Sequence, residues 1–338
     1  MSNNNFNLPD YDIAASTRIR LARNLSGIPF PSKMSPDLLE DLKQRVKSAI
    51  SDSNTPFAKS LKFIDMKDVP KIELGAMVER HIISPEFASK PEGRAIILSN
   101  DESISIMIGE EDHIRIQVIL SGFQLEKAYD IAERIDTLLC DKLSFAFDNE
   151  LGFLTECPTN LGTGLRASVM LHLPLCESSG EIKELRENIN KIGFTVRGIY
   201  GEGTNSAASL YQISNQITLG ISEKNAIDNL KIIASGLIEK ERTLRSSLDI
   251  TKASDTVFRA LGTLKGCRIL NSGEMMSLLS MIKLGVSLGI IKTEIDAFNI
   301  LIENQKYMLM RKYGEISPDE RDIKRADAIR EVFKEICI

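Results

Sequence analysis

A chain of 338 residues, 43% of them hydrophobic, can bury one large core or two ordinary ones. Its 42 basic and 47 acidic residues, net charge −5, are mixed along the chain, which argues against disorder and against a basic nucleic-acid-binding face. The apolar runs, such as 116–120 and 284–291, are too short for a bilayer, and the start MSNNNFNLPD lacks signal-peptide character, so a cytoplasmic protein with no membrane or nucleic-acid contact is expected.

In chain order, Thr17 to Arg23 alternates apolar Ile19 and Leu21 with Arg18 and Arg20, the pattern of a half-buried strand with two arginines on one face. Helices are expected at 34–50, opened by Ser35-Pro36-Asp37, and at 69–81. Strand-like runs at 94–98, 103–108 and 113–120, joined by short turns, predict an antiparallel meander. An amphipathic helix follows at 125–143, then strands at 167–173, 194–200 and 210–219 with a helix at 181–192 between them. After a long helix at 222–247 the strand signals stop, and helices are predicted at 255–264, 272–284, 293–310 and 318–335. The expected fold is α+β, an antiparallel sheet flanked by helices in residues 1–249, followed by an all-helical domain in 250–338.

The five cysteines, Cys140, Cys157, Cys176, Cys267 and Cys337, are widely separated, and so are the three histidines, His81, His113 and His172. Reduced thiols and no protein-held metal are expected. No glycine-rich phosphate cradle and no protein-kinase motif is present, and Gly162-Thr163-Gly164 is only a fragment of one. Phosphate binding would therefore rest on arginine, whose planar fork donates bidentate bonds to phosphate and stays charged. Arginines in strand settings occur in residues 16–20, 111–115, 165–170 and 197–202, with His81 in a further segment. Taken singly, each reads as a solvated arginine on a sheet face rather than as a phosphate ligand.

Together the segments STRIRLARN, GEEDHIRIQ, CPTNLGTGLRASVMLHLP and RGIYGEG resemble, in order and separation, the catalytic domain of the ATP:guanido phosphotransferases, the family of creatine and arginine kinases. HIISPE, LHLP and QISNQITLG are similar to the protein-arginine kinase branch of that family. Small-molecule members carry a helical domain of about a hundred residues before the first strand, whereas fifteen residues precede Ser16 here, so a site open to arginine on a polypeptide is expected. The resemblance implies ATP and Mg²⁺, with Arg18, Arg20, Arg115, Arg166 and Arg197 around the triphosphate. It adds Ser16, Thr17, Ile19, His81, Ala167, Ser168, Val169 and Met170, and Gly198, Ile199, Tyr200, Gly201 and Glu202, to the nucleotide-binding segments.

Glu111 and Glu202 match the family's two catalytic glutamates, which clamp the guanidinium and take its proton. Without the flanking motifs both read as exposed loop acids. Cys157 matches a cysteine near the guanidino group in relatives, with a small apolar residue as the competing reading. Gly109 stands where the family often has Asn, which is expected to loosen that turn. Ser317-Pro318-Asp319-Glu320 starts a helix, and Arg321, Asp322, Ile323, Lys324, Arg325 and Ala326 match an R-D-x-x-R-A motif that in the protein-arginine kinases forms an allosteric phosphoarginine pocket.

By the same resemblance, the expected activity is phosphorylation of arginine in exposed or unfolded protein segments, marking them for a Clp-type protease in a stress response. The implied partners are a heat-shock transcriptional repressor, a zinc-binding activator protein and the Clp protease system, while apolar helices such as Met275 to Leu284 suggest either the surface of a homodimer or a simple core. Two other functions stay open: a kinase for free arginine or another small guanidine, and a non-catalytic phosphoarginine-binding module.

Overall fold

A computed structural model describes residues 7–53, 55–199, 206 and 208–336. Ten strands occur among them: β1 Ala14–Arg23, β2 Leu61–Asp65, β3 Ala95–Ser99, β4 Ile104–Ile108, β5 Ile114–Ser121, β6 Phe147–Asp148, β7 Gly152–Phe153, β8 Leu165–His172, β9 Phe194–Gly198 and β10 Leu210–Asn215. β6 and β7 form a two-stranded ribbon, and the other eight form one antiparallel sheet in the order β2-β3-β4-β5-β1-β8-β10-β9. The expected α+β fold and the meander of β3, β4 and β5 are both present.

The period-2 alternation of the central strands decides which face is buried. Ile19 and Leu21 of β1, Ile116 and Val118 of β5, and Ala167 and Val169 of β8 are essentially inaccessible and belong to one cluster with Leu42, Ala128, Ile135, Leu230 and Leu237. Those partners come from the helices Pro36–Ser51, Leu125–Cys140 and Glu223–Ser246, which cover that face. A side chain of this size contributes about 1.5–3 kcal/mol when fully buried, so this layer fixes the register of the sheet.

The opposite face is polar in its centre and covered at its sides. On one side the helices Lys71–Glu79 and Pro85–Ser89 pack Met77 and Phe87 against Ile96 of β3 and Met107 of β4. On the other, the C-terminal helices pack Leu261, Leu279 and Leu301 into a cluster that includes Leu210 of β10 and part of Met170 of β8. His172 at the end of β8 shares a 2.8 Å hydrogen bond with Ser280, and Lys283 Nζ donates to the Tyr11 carbonyl at 2.8 Å. Burial pushes the Lys283 ammonium down to about 8.

Several boundaries differ from expectation. The helix expected from 255 runs Ile250–Gly266, because Asp249 caps it by accepting from Thr251 and Lys252 N–H groups. The helix expected over 293–310 is two helices, Ala297–Glu303 and Lys306–Tyr313. The strand expected over 210–219 ends at Asn215, whose side chain accepts from Ala167 N–H and donates to the Leu165 and Ile217 carbonyls in place of ladder partners. Among the described residues no helix is long and apolar enough to cross a membrane.

Candidate active site

Cross-strand partners in an antiparallel sheet project to the same side. Arg20 of β1 lies opposite Gln117 of β5 and Arg166 of β8, while Arg18 lies opposite Ser168 and Ser16 opposite Met170. Met170 in turn lies opposite Gln212 of β10, and Gln212 opposite Arg197 of β9. With Arg115 two residues from Gln117 on β5, the five arginines singled out in the sequence, Arg18, Arg20, Arg115, Arg166 and Arg197, share the polar face. Thr17, Ile19, Ala167 and Val169 point to the other side, where all four are buried; they present backbone, not side chains, to this face.

Burying guanidinium groups and gathering them on one face both disfavour their charged forms. The Arg18 guanidinium falls to about 10, through burial first and then the charges of Arg115 and Arg166. Arg20 is pushed well below its ordinary value by burial and then by Arg18 and Arg115, and Arg166 is lowered by burial, Arg197 and Arg115. A polyanion on this face would offset that repulsion with charge-assisted bonds. Arg18 is aimed by Gln117, whose Oε1 accepts from Arg18 Nε at 2.7 Å and whose amide donates to the carbonyls of His81 and Ile82. His81 sits at φ 62 beside it, its ring lowered to about 4 by burial and by Arg18, so that it is neutral at physiological pH.

At one end of the arginine row a cavity of about 240 Å³ brings together Arg20, Arg115, Arg166, Glu111 and Cys157. It adjoins a wider cleft of about 930 Å³ that Glu111, Arg115 and Cys157 also line, with Glu86, Glu110 and Glu156. Glu111 Oε2 accepts from Arg115 Nη2 at 3.1 Å, Arg115 also pairs with the buried Glu110, and Cys157 Sγ lies 3.1 Å from Thr159 Oγ1. A carboxylate, a thiol and a cationic row thus meet where an acidic cleft opens.

Two residues hold this end together and were not singled out from the sequence. Asp112 Oδ1 accepts from Asn24 Nδ2 at 2.7 Å and from Glu156 N–H at 2.9 Å, while the same Asn24 amide donates to Leu154 O and its Oδ1 accepts from His113 N–H. The Glu111 turn and the Cys157 loop are therefore one unit. His113 completes it: Nδ1 accepts from Leu25 N–H, leaving Nε2–H to donate to the Pro29 carbonyl. The only signal for these roles was their place inside the motifs STRIRLARN and GEEDHIRIQ. Gly109 stands in the turn that leads to Glu111. Its φ of 80 is the left-handed conformation that glycine adopts without strain, and Arg94 Nε holds its carbonyl at 3.0 Å.

Glu202, with Tyr200 and Gly201, lies outside the described residues; Gly198 and Ile199 lead up to it from the end of β9. The motif 321–326 is far from the arginine row in the chain, on the helix Pro318–Phe333, which Ser317 and Glu320 open with a reciprocal capping box. Arg325 is buried, donating to the carbonyls of Asn304 (2.9 Å) and Leu270 (2.8 Å) and pairing with Asp322. Arg321 makes one 3.2 Å bond, to Ile316 O, and Ala326 is buried in the helical cluster. Ile323 is exposed, and Lys324 Nζ lies 5.5 Å from the Tyr313 ring centroid.

Comparison with known proteins adds a lineage to this geometry. Residues 41–244 match the family model described as ATP:guanido phosphotransferase, C-terminal catalytic domain, and residues 251–337 match the protein-arginine kinase McsB C-terminal domain. The chain is 45% identical to the protein-arginine kinase of Halothermothrix orenii, over 95% of this chain and 93% of that one, and 41% identical to that of Bacillus subtilis, over 96% and 90%. Among solved structures, a duplicated taurocyamine kinase from Schistosoma mansoni with bound transition-state-analogue components superposes with a TM-score of 0.63 at 25% identity, covering 78% of this chain and 38% of that one. A lombricine kinase structure gives 0.62 at 22% identity over 71% and 69%, a likeness of fold.

Proposed function

The chain belongs to the ATP:guanido phosphotransferase family, and from that premise we propose that it transfers the γ-phosphoryl group of Mg-ATP to the guanidino group of arginine residues in proteins. The observation that carries the reading is the row of five arginines on one sheet face, ending beside Glu111 and Cys157. Arg18, Arg20, Arg115, Arg166 and Arg197 bind the phosphates and stabilise the charge that spreads over the equatorial oxygens as transfer proceeds. Among the described residues no cluster of His, Cys, Asp and Glu would hold a metal ion, so Mg²⁺ would be carried by the nucleotide and would supply neutralisation of part of that charge.

The acceptor guanidinium, with a pKa above about 12, is cationic and a poor nucleophile until it loses a proton. Glu111 and Glu202 clamp its plane, align one nitrogen with the γ-phosphorus and accept the proton. The Glu111–Arg115 pair is the resting partner that the substrate guanidinium replaces. Cys157, on the rim shared by both cavities, contacts the same group. The wide acidic cleft suits a cationic side chain brought in on a polypeptide.

The family premise extends to regulation and partners. Arg321 and Asp322 form a phosphoarginine site whose occupancy biases the active state, with Arg325 holding the helix in place. Ile269 and Ile323, exposed on either side of the Leu270 N–H to Asp322 O hydrogen bond, supply apolar surface for a homodimer. A cytoplasmic setting, a zinc-binding activator, a heat-shock transcriptional repressor as substrate and a Clp-type protease as consumer of the product complete the proposal, in which the 1–249 part carries catalysis and the 250–338 part regulation.

The test separates acceptors. Labelled ATP is incubated with the protein and either free arginine or an unfolded protein. Label on the unfolded protein, at rates free arginine does not approach, supports the reading; transfer to free arginine alone refutes it.

A further inference from the structure

The arginine row has a second end. Along β1 the polar face passes from Arg20 to Arg18 to Ser16, and along β8 from Arg166 to Ser168 to Met170, so over roughly 13 Å it changes from cationic to uncharged. Beyond Ser16 and Met170 lies a separate cavity of about 490 Å³, inside the range of roughly 300–1,000 Å³ typical of small-molecule pockets. If the reacting phosphate lies beside Glu111, as the proposed function requires, a nucleoside triphosphate laid along this face delivers its base and ribose into that cavity.

Its floor is the sheet and one side is His81, but its outer wall is not part of the sheet at all. Asn299, Ile302 and Met308 close it, and they come from the helices Ala297–Glu303 and Lys306–Tyr313 of the C-terminal part. This wall is held in place by specific contacts. Both Glu79 carboxylate oxygens accept from the start of the second helix, Oε1 from Tyr307 N–H and Oε2 from Met308 N–H, each at 2.9 Å. Arg311 Nε reaches Glu73 at 3.0 Å, and Arg80 Nη1 lies 3.5 Å from Met308 Sδ. The Tyr307 ring packs so closely on Gly75 that a Cβ there would stand 2.3 Å from the ring. Glu79 and Arg80, which grip the wall, immediately precede His81, which lines the pocket.

We propose that the C-terminal helices form the outer wall of the nucleoside pocket, with Ile302 and Met308 packing against the base and setting its affinity and selectivity. Nucleotide binding and the seating of the helical part on the sheet then become a single coupled equilibrium. The inference rests on the reading of the arginine row as the triphosphate site.

Two probes divide the pocket: Mg-ADP, which carries a nucleoside, and inorganic tripolyphosphate with Mg²⁺, which does not. Ile302→Ala combined with Met308→Ala is expected to weaken Mg-ADP by about tenfold or more, because the base then buries less apolar surface, while tripolyphosphate affinity stays within about twofold. Ile302→Trp, which fills the cavity, is expected to do the same. Unchanged Mg-ADP affinity in correctly folded variants, or equal losses for both probes, overturns the proposal. Hydrogen exchange on the unaltered protein tests it without substitution. Mg-ADP should slow amide exchange across residues 299–308 and tripolyphosphate should not; no difference between them again overturns it. An unaltered protein that binds neither probe removes the triphosphate site itself, and this proposal with it.

Discussion

Arg166→Met separates the cost of the arginine row from its use. Among the described residues Arg166 makes one long hydrogen bond, 3.5 Å to Ser214 Oγ, and its guanidinium is lowered by burial and by Arg197 and Arg115. The folded protein therefore holds this charge at a cost, and removing it should leave the ligand-free melting temperature unchanged or higher. A charge-assisted bond to phosphate is worth about 1.5–3 kcal/mol, so the variant should bind Mg-ATP roughly 30-fold more weakly. By linkage, Mg-ATP at about 100 times the original Kd stabilises the parent by about 2.7 kcal/mol, and the variant by only about 0.9 kcal/mol. A thermal melt with and without Mg-ATP reads this as a nucleotide-induced shift smaller by a few degrees. A variant that melts well below the parent without nucleotide, or that keeps the full shift with it, refutes the electrostatic account.

Other substitutions probe other parts. His81 is lowered from about 6.5 to about 4, so the unfolded chain takes up a proton first as pH falls; the stability it contributes is complete above pH 6.5 and is lost between there and pH 4. His81→Asn, which also tolerates the left-handed φ of 62, should flatten that part of the stability curve measured by urea melts. Asn24→Ala should cost about 1–3 kcal/mol by leaving the buried His113 N–H without a partner and Asp112 with Glu156 N–H alone, and should lower kcat more than it raises the KM for ATP, as steady-state kinetics would show. Arg325→Ala should lower the melting temperature by releasing the Asn304 and Leu270 carbonyls, whereas Arg321→Ala should leave it nearly unchanged and abolish binding of a phosphoarginine peptide.

Much of this was legible from residue pattern. The alternation through Thr17 to Arg23 correctly placed Arg18 and Arg20 together, because one buried face leaves a strand no freedom of register. That Arg115, Arg166 and Arg197 join them depends on strand order, which brings β9, β8, β1 and β5 together from distant parts of the chain; only the resemblance to a family supplied it in advance. Long-range caps were invisible. The apolar period through 293–310 reads as one helix, yet the chain breaks where the Asn304 carbonyl turns to Arg325, and a new helix starts because Glu79, far away in sequence, satisfies its first N–H groups. β2 escaped notice because none of its residues is fully buried and its sequence Leu61–Asp65 shows no clear alternation of buried and exposed positions. Asn24 and Asp112 gave no signal of their own, since a buried hydrogen-bond pair leaves no periodicity.

The central claim concerns where the phosphate goes. A model unfolded protein is incubated with the enzyme and Mg-ATP and analysed by mass spectrometry under conditions that spare acid-labile phosphate, with Glu111→Gln in parallel. The account predicts phosphate on arginine with the parent enzyme and little or none with the variant, because the carboxylate that aligns and deprotonates the acceptor is gone. Phosphate on serine or threonine and none on arginine, or an undiminished yield from Glu111→Gln, would contradict it.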